Sequence, residues 1–326
     1  MKKINLEKLI RYDINYYFDC IKTKIFHYCL YLGAPIDWLL YNSYENTKNI
    51  YNQIVLNKNP YWAYKTNCIN IEDLNKISIK LESRLVNEFD NALSYFEKKI
   101  NKGEVLLIKC DEYFLPHREW VYKQKHTQHY VFISGYDYTN TTKKLHIIDD
   151  GYPDFSGYSY DINIIENSYS KEIIRPTYQI NDLDKHFTEE IIIKYREYFM
   201  NVEDDLSLYE EIVNYFYDID CQSDRDSDFL FYFVHAVSLL SGSRLIFIRF
   251  LYLFNESSCS DLINELIDCS KKLSILKFFI KRYSISFEEN DKKEIINKCK
   301  ELKVKEGKIY EMLRENSMNH FKKNII

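Results

Sequence analysis

The hydrophobic pattern of the amino-terminal third of this 326-residue chain has helical spacing. From Cys20, apolar residues recur three and four positions apart until Gly33, a typical helix stop, and this predicts a helix of about thirteen residues. A long charged helix is predicted from about Ile71 to Ile100. This part of the chain is therefore expected to be largely helical.

The period of the pattern then changes to that of strands. Short apolar or alternating runs begin at Glu104, His129 and Lys144, and turn-forming residues separate the last two runs, which predicts an antiparallel hairpin. Helical spacing returns afterwards and continues to the end. The sequence therefore predicts an α+β fold: a domain of helices and a small antiparallel sheet in residues 1–180, followed by an all-helical domain in residues 181–326.

The most hydrophobic stretch runs from Phe229 to Phe254 and contains Arg244 and Arg249. Small residues at positions 241–243 interrupt it, so two buried core helices joined by a turn explain it better than a membrane span. The amino terminus lacks the continuous apolar segment of a secretory signal. A cytoplasmic chain with no membrane partner is expected.

Composition narrows the classes of function. The chain carries 44 basic and 49 acidic residues and a net charge of −5, so no basic stripe suggests a nucleic-acid partner. Its eight cysteines contain no C-x-x-C pair, which is typical of reduced thiols rather than a disulfide framework. Phosphate-binding loops, dinucleotide glycine fingerprints and dense metal-ligand motifs are also missing from the sequence. Neither a nucleotide cofactor nor a metal is expected.

Three residues far apart in sequence are candidates for nucleophilic catalysis. Cys20 lies in the first turn of its predicted helix, where unpaired N–H groups and the helix dipole favour a thiolate. A hairpin turn centred at Thr139 places His129 opposite Asp149, and opposed side chains share a face of the sheet. The imidazole would take the thiol proton and the carboxylate, or alternatively Asp150, would orient the ring. A small buried cysteine and a structural histidine are the alternative interpretation.

Four stretches of the chain resemble one known family: the cysteine helix, VLLIKCDEYFLPH, HTQHYVFISGYD and LHIIDD. They are similar to the amino-terminal domain of the butirosin biosynthesis protein H family, across roughly residues 10–165. The resemblance implies a papain-like cysteine protease fold that serves as an acyltransferase. It also implies Cys20 as the nucleophile, His129 as the general base and Asp149 as the orienting carboxylate.

The same resemblance suggests further site residues. The glutamine that papain-like enzymes place before the nucleophile is missing, and Asn15, the nearest amide, is the candidate oxyanion donor. Asp111 matches a family position and is a candidate substrate-binding residue, with a structural strand-end hydrogen bond as the alternative. His126 is interpreted as a loop residue or a substrate contact.

The function that the resemblance implies is ATP-independent amide formation in specialised-metabolite biosynthesis. An acyl group would pass from the phosphopantetheine thioester of an acyl or peptidyl carrier protein to the cysteine, and then to an amine-containing small molecule. The helical domain would cover the site, contact substrate or mediate an interaction.

Two alternatives stay open. The same three residues could hydrolyse an amide or thioester, as in a cysteine peptidase or amidase, or the chain could be an inactive protein that binds a carrier or peptide. Enrichment in Lys, Ile, Asn and Tyr is typical of an AT-rich bacterial genome. Within the resemblance it favours an amide synthase of a clostridial thiotemplated pathway, such as the one that makes closthioamide.

Overall fold

A computed structural model of the chain describes residues 2–4, 17–151, 154–179, 185–218, 226–254 and 256–319. The helices among them are α1 (Cys20–Tyr31), α2 (Thr47–Ile50), α3 (Ile71–Lys76), α4 (Phe89–Ile100), α5 (Ile162–Ser168), α6 (Lys185–Asn201), α7 (Ser207–Asp218), α8 (Asp226–Leu251), α9 (Glu256–Ser286) and α10 (Glu289–Asn319). The strands are β1 (Lys2–Lys3), β2 (Ile79–Leu85), β3 (Leu106–Asp111), β4 (Gln128–Tyr138), β5 (Lys143–Gly151), β6 (Asp154–Asp161) and β7 (Tyr169–Tyr178). Shorter helical turns lie at Ile36–Leu40, Tyr51–Leu56, Tyr61–Ala63 and Glu112–Phe114.

The chain divides into two compact units. The sheet unit comprises the described residues of Met1–Asp13, Cys20–Ile36 and Ile71–Asp182. The helical unit comprises the described residues of Ile14–Asp19, Asp37–Asn70 and Leu183–Ile326. The predicted boundary between residues 180 and 181 lies outside the described residues.

The sheet unit is built on an antiparallel sheet of seven strands in the order β2-β7-β3-β4-β5-β6, with β1 paired to β4. The prediction of an α+β fold with a helical carboxy-terminal region is confirmed. The strands β1, β2, β6 and β7 were not predicted. The sheet is therefore larger than the hydrophobic pattern indicates.

One predicted helix is wrong. The charged segment from Ile71 to Ile100 forms α3, then strand β2, then α4. Ser78 has a positive φ of 61° directly before β2, so the chain leaves the helical direction there. β2 is mostly exposed and pairs with β7 along its whole length. Pairing with a distant strand outweighs the local helical pattern.

The hydrophobic core of the sheet unit lies between α4, α5 and the sheet. Ala92, Phe96 and Ile100 recur every four residues on α4 and are completely buried. They pack with Val131 on β4 and Ile147 on β5, which are equally buried. This core fixes the neighbouring strands β4 and β5, which carry His129 and Asp149.

Gly135 allows β1 to approach β4 closely. Lys3 pairs with this glycine, and an added Cβ would lie 2.5 Å from Lys2 O and 2.8 Å from Lys3 Cα. A side chain at this position would collide with backbone, which a flexible rotamer cannot relieve. The close approach of β1 therefore requires a glycine at this position of the HYVFISGYD segment.

The longest apolar stretch of the helical unit is one continuous helix, α8. The predicted turn at positions 241–243 is wrong, because the hydroxyl groups there are bonded within the packed core: Ser241 Oγ lies 2.8 Å from Ser270 Oγ, and Ser243 Oγ donates to Ser43 O at 2.6 Å. Residues 228–251 are long and apolar enough to cross a membrane, yet 72% of the most apolar window is buried within the protein. This is the burial expected of a core helix.

A completely buried ion pair joins α8 to α10. Arg244 Nε and Nη2 lie 3.1 and 3.0 Å from the two carboxylate oxygens of Glu306. The Tyr44 hydroxyl also donates to Glu306, and the guanidinium stacks 3.6 Å from the centre of the Tyr44 ring. Arg244 Nη1 donates to Glu45 O at 2.8 Å. The bidentate ion pair and the stacked ring therefore compensate both charges where water is excluded.

Candidate active site

Helix α1 begins at Cys20 and ends at Tyr31, so the predicted helix is confirmed to within one residue. Gly33 follows with a positive φ of 70°, and Ala34 N–H then donates to Cys29 O at 2.9 Å. This arrangement ends the helix as the glycine predicted. Cys20 is partly exposed in the first turn, whereas Cys29 is completely buried.

His129 and Asp149 are in direct contact, although their register differs from the prediction. His129 Nε2 lies 2.7 Å from Asp149 Oδ1, with the histidine 6% exposed and the carboxylate completely buried. Phe132 lies opposite Ile148, so continuing this pairing places Asp149 opposite Val131 rather than His129. The hairpin turn lies at residues 139–142 rather than centred on 139, and the pairing slips at a bulge between residues 133 and 135. A displacement of two residues keeps both side chains on one face.

Lys24 is a central member of the site that the sequence did not predict. It lies four residues after Cys20 on α1 and is completely buried. Its Nζ is 3.0 Å from Asp149 Oδ1 and 3.3 Å from His129 Nε2, and it also contacts Asp150 Oδ1. The ammonium therefore links the cysteine helix to the carboxylates of β5.

Two further unpredicted residues come from the loop before β4. His117 Nε2 lies 2.9 Å from Asp149 Oδ2, and its Nδ1 lies 2.9 Å from the Tyr160 hydroxyl. Arg118 Nε lies 3.1 Å from the same Asp149 oxygen, and its Nη2 contacts the His129 ring. Asp149 is thus surrounded by donors on both oxygens. Its orientation is fixed by four side chains.

The charges of these groups control their protonation. Burial alone would raise the pKa of Asp149, but Lys24 and His129 hold it well below its ordinary range. Burial likewise opposes the charged form of His129, but the Asp149 carboxylate outweighs it and raises the pKa of the ring to about 10. At neutral pH the imidazole is therefore protonated and the carboxylate is ionised.

Cys20 lies within electrostatic reach of two cations of this cluster. Burial opposes the charge of Lys24, but Asp149 and Asp150, with a smaller contribution from Cys20, raise its pKa. The pKa of Arg118 is raised in the same way, against its burial, by the carboxylates and again by Cys20. Both cations also contact His129, so a negative sulfur would interact favourably with the charges around the imidazole.

The other predicted site residues form a separate pair. Asp111 Oδ1 accepts a hydrogen bond from Tyr113 N at 3.1 Å, and its Oδ2 lies 2.6 Å from His126 Nδ1. The exposed His126 ring stacks on Tyr113 at 4.3 Å between ring centres. This geometry corresponds to the structural strand-end hydrogen bond considered for Asp111, and substrate binding by either residue stays a prediction. Asn15 lies outside the described residues.

The donor atoms of His129, Asp149 and Asp150 lie within 4.8 Å of one another, a spacing that could hold a metal ion. Lys24 Nζ contacts both carboxylates, and Arg118 Nη1 donates to Asp150 O at 3.1 Å. Side chains therefore already supply the positive charge that a cation would bring to this group.

The chain is similar to a transferase that uses an acyl-carrier protein. This curated relative, from Niallia circulans, is 25% identical over 253 residues, which cover 76% of this chain and 80% of the relative. Its name describes the transfer of 4-(γ-L-glutamylamino)-(S)-2-hydroxybutanoate from the BtrI acyl-carrier protein to ribostamycin. The resemblance to the butirosin biosynthesis family is thus confirmed, at low identity. No family model matches the chain.

Proposed function

We propose that this chain is an ATP-independent, amide-forming acyltransferase of papain-like architecture that acts in specialised-metabolite biosynthesis. It takes an acyl group from a carrier-protein thioester onto Cys20 and passes it to an amine. The observation that carries the proposal is the contact of Lys24, one turn after Cys20, with both His129 and Asp149. The relative that uses an acyl-carrier protein supports this class of donor.

In the first half-reaction, Cys20 sulfur attacks the thioester carbonyl as a thiolate, and the protonated His129 serves as the acid of the step. Asp149 holds Nε2 of His129, so the nitrogen that exchanges the proton is Nδ1, which lies 3.3 Å from Arg118 Nη2 and 3.7 Å from Glu112 Oε1. The tetrahedral intermediate collapses with cleavage of the bond to the phosphopantetheine sulfur, and His129 gives its proton to this leaving thiolate. The products are the acyl-Cys20 thioester and a free phosphopantetheine thiol.

In the second half-reaction, the neutral amine attacks the acyl-Cys20 carbonyl. His129, now neutral, accepts the proton that the amine loses, and the C–S bond breaks to regenerate the thiolate and the imidazolium. The first step exchanges one thioester for another, and aminolysis of a thioester is downhill. Neither step therefore consumes a nucleotide.

The test is the intact mass of the protein after incubation with an acyl-loaded carrier protein. The proposal expects one acyl adduct, which peptide mapping places on Cys20 and on none of the other seven cysteines. Cys20→Ala should abolish the adduct, whereas Cys29→Ser, a change at a completely buried cysteine of the same helix, should retain it in the folded protein.

The product after addition of an amine decides between transfer and hydrolysis. Amide formation that depends on Cys20 supports the acyltransferase. Free acid in place of amide across a panel of amines would favour a hydrolase instead. Full amide formation by Cys20→Ala would overturn the proposed role of the thiol.

A further inference from the structure

The loop of residues 115–127 connects the candidate site to the protein surface. His117 and Arg118 reach inward to Asp149, whereas Trp120, only two residues later, is 83% exposed. Backbone hydrogen bonds order the loop: Tyr122 N–H donates to Arg118 O at 2.8 Å, and later backbone groups continue the pattern. One ordered segment thus holds site residues on one side and an exposed indole on the other.

The exposure of Trp120 is unusual for so large an apolar side chain. In the part of the chain that the structure describes, it shares with Ile285 the highest exposed fraction among large hydrophobic residues. Tryptophan is one of the residue types enriched among the anchors of protein interfaces, because burial of its large rigid ring releases much water at little entropic cost. An ordered loop that presents this side chain to solvent is suited to receive a protein partner.

The charges around Trp120 indicate the chemistry of that partner. Lys123 and Lys125 are exposed on the same loop, and they outnumber its exposed acid, Glu119. This local positive charge contrasts with the net charge of −5 of the whole chain. Such a patch attracts a partner with an acidic surface and increases its rate of association.

We propose that the 115–127 loop is the docking surface for the acyl carrier protein, with Trp120 as the apolar anchor and with Lys123 and Lys125 facing acidic side chains of the carrier. An acidic carrier surface would pair with the two lysines, and an apolar patch on it would cover the indole. This inference rests on the proposed function. It places the carrier beside His117 and Arg118, so the thioester arm would enter next to Asp149.

Direct binding tests the surface without relying on catalysis. The source organism's holo-acyl carrier proteins are immobilised one by one, and the wild-type chain is measured by biolayer interferometry. For the carrier that binds, Trp120→Ala should weaken affinity by about 30-fold, the loss typical of an interface anchor. Trp62→Ala is the matched control, since Trp62 is 55% exposed but belongs to the helical unit, and it should bind as the wild type does.

The basic residues are tested separately. Lys123→Glu combined with Lys125→Glu should slow association and remove most of its dependence on salt, because both lysines are exposed and screened by ions. A small thioester, acyl-N-acetylcysteamine, provides a second readout: Trp120→Ala should acylate Cys20 from this donor at the wild-type rate and from the carrier more slowly.

The outcomes separate the two proposals. Equal affinity of wild type and Trp120→Ala, or no binding by any carrier, overturns the docking surface. A Trp120→Ala variant that is slowed equally with both donors also overturns it, since the loop would then act through the site. Carrier binding that depends on Trp120 without any acyl adduct on Cys20 supports the surface and refutes the proposed chemistry.

Discussion

The prediction that depends most directly on the geometry of the site is the effect of removing the Lys24 ammonium. In Lys24→Met, Asp149 and Asp150 lose the cation that contacts both of them in a buried position. Removing one partner of a buried ion pair typically costs about 3–5 kcal/mol, because the remaining charge is left without compensation. Because His129 and Arg118 still face Asp149 in this variant, we expect the free energy of unfolding to fall by less than this, by about 2–3 kcal/mol at neutral pH.

Urea denaturation at pH 7, followed by circular dichroism, measures this loss. Lys22→Met on the same helix is the control: Lys22 is partly exposed, and its loss should cost less than about 1 kcal/mol. The double variant Lys24→Met with Asp150→Asn should recover part of the stability, since it removes one of the two carboxylates that have lost the Lys24 ammonium. A Lys24→Met variant as stable as the Lys22→Met control would refute the reasoning.

The remaining predictions concern titration and the other charged groups. The pKa of His129 is raised to about 10 from 6.5, so its contribution to stability is complete below pH 6.5 and is lost as pH rises through 10. The wild type should therefore lose roughly 1.4 kcal/mol per pH unit across this window relative to His129→Gln, as measured by urea denaturation. Asp149→Asn should slow acylation of Cys20 by at least about 100-fold and Asp150→Asn by less, as measured by single-turnover mass spectrometry, because Asp149 holds Nε2 at 2.7 Å. Arg244→Met should destabilise the helical unit by about 3–5 kcal/mol in urea, because Glu306 stays buried and unpaired.

Each of these predictions has a clear contrary result. Parallel pH profiles for wild type and His129→Gln would show that the imidazole is not paired as described. A larger loss of acylation in Asp150→Asn than in Asp149→Asn would transfer the orienting role to Asp150. An Arg244→Met variant within about 1 kcal/mol of wild type would mean that the unpaired carboxylate relaxes at little cost.

The elements that the sequence predicted correctly are those with local signals. Helix α1 has its apolar stripe, its small thiol at the start and Gly33 as a stop within one short segment. The hairpin of β4 and β5 is likewise local, but its register depended on the length of the turn and on a bulge at Gly135 that no pattern indicated. Strand β2 was not predicted, because its extended conformation is stabilised by pairing with β7, almost a hundred residues later in the chain.

In the candidate site too, residues with a recognisable chemical pattern were predicted and residues positioned by distant contacts were not. Chemistry pointed to Cys20, His129 and Asp149, because few residue types make a nucleophile, a base and an orienting group. Lys24 was not predicted as a site residue, because a lysine within a helix is usually solvated. The carboxylates that it contacts lie on a strand more than 120 residues later in the chain. Loop residues such as His117 have no periodic pattern from which an inward orientation could be inferred.

The buried pair of Arg244 with Glu306 has a consequence for how such a chain can be recombined. The Tyr44 ring and the Glu45 carbonyl that complete its surroundings are encoded between two segments of the sheet unit, and the ion pair itself is encoded after the last segment. A gene fragment that begins at residue 181 would leave this guanidinium without two of its partners. Natural or engineered exchange of the helical unit between relatives must therefore move the stretch that contains Tyr44 and Glu45 together with the stretch that contains Arg244 and Glu306.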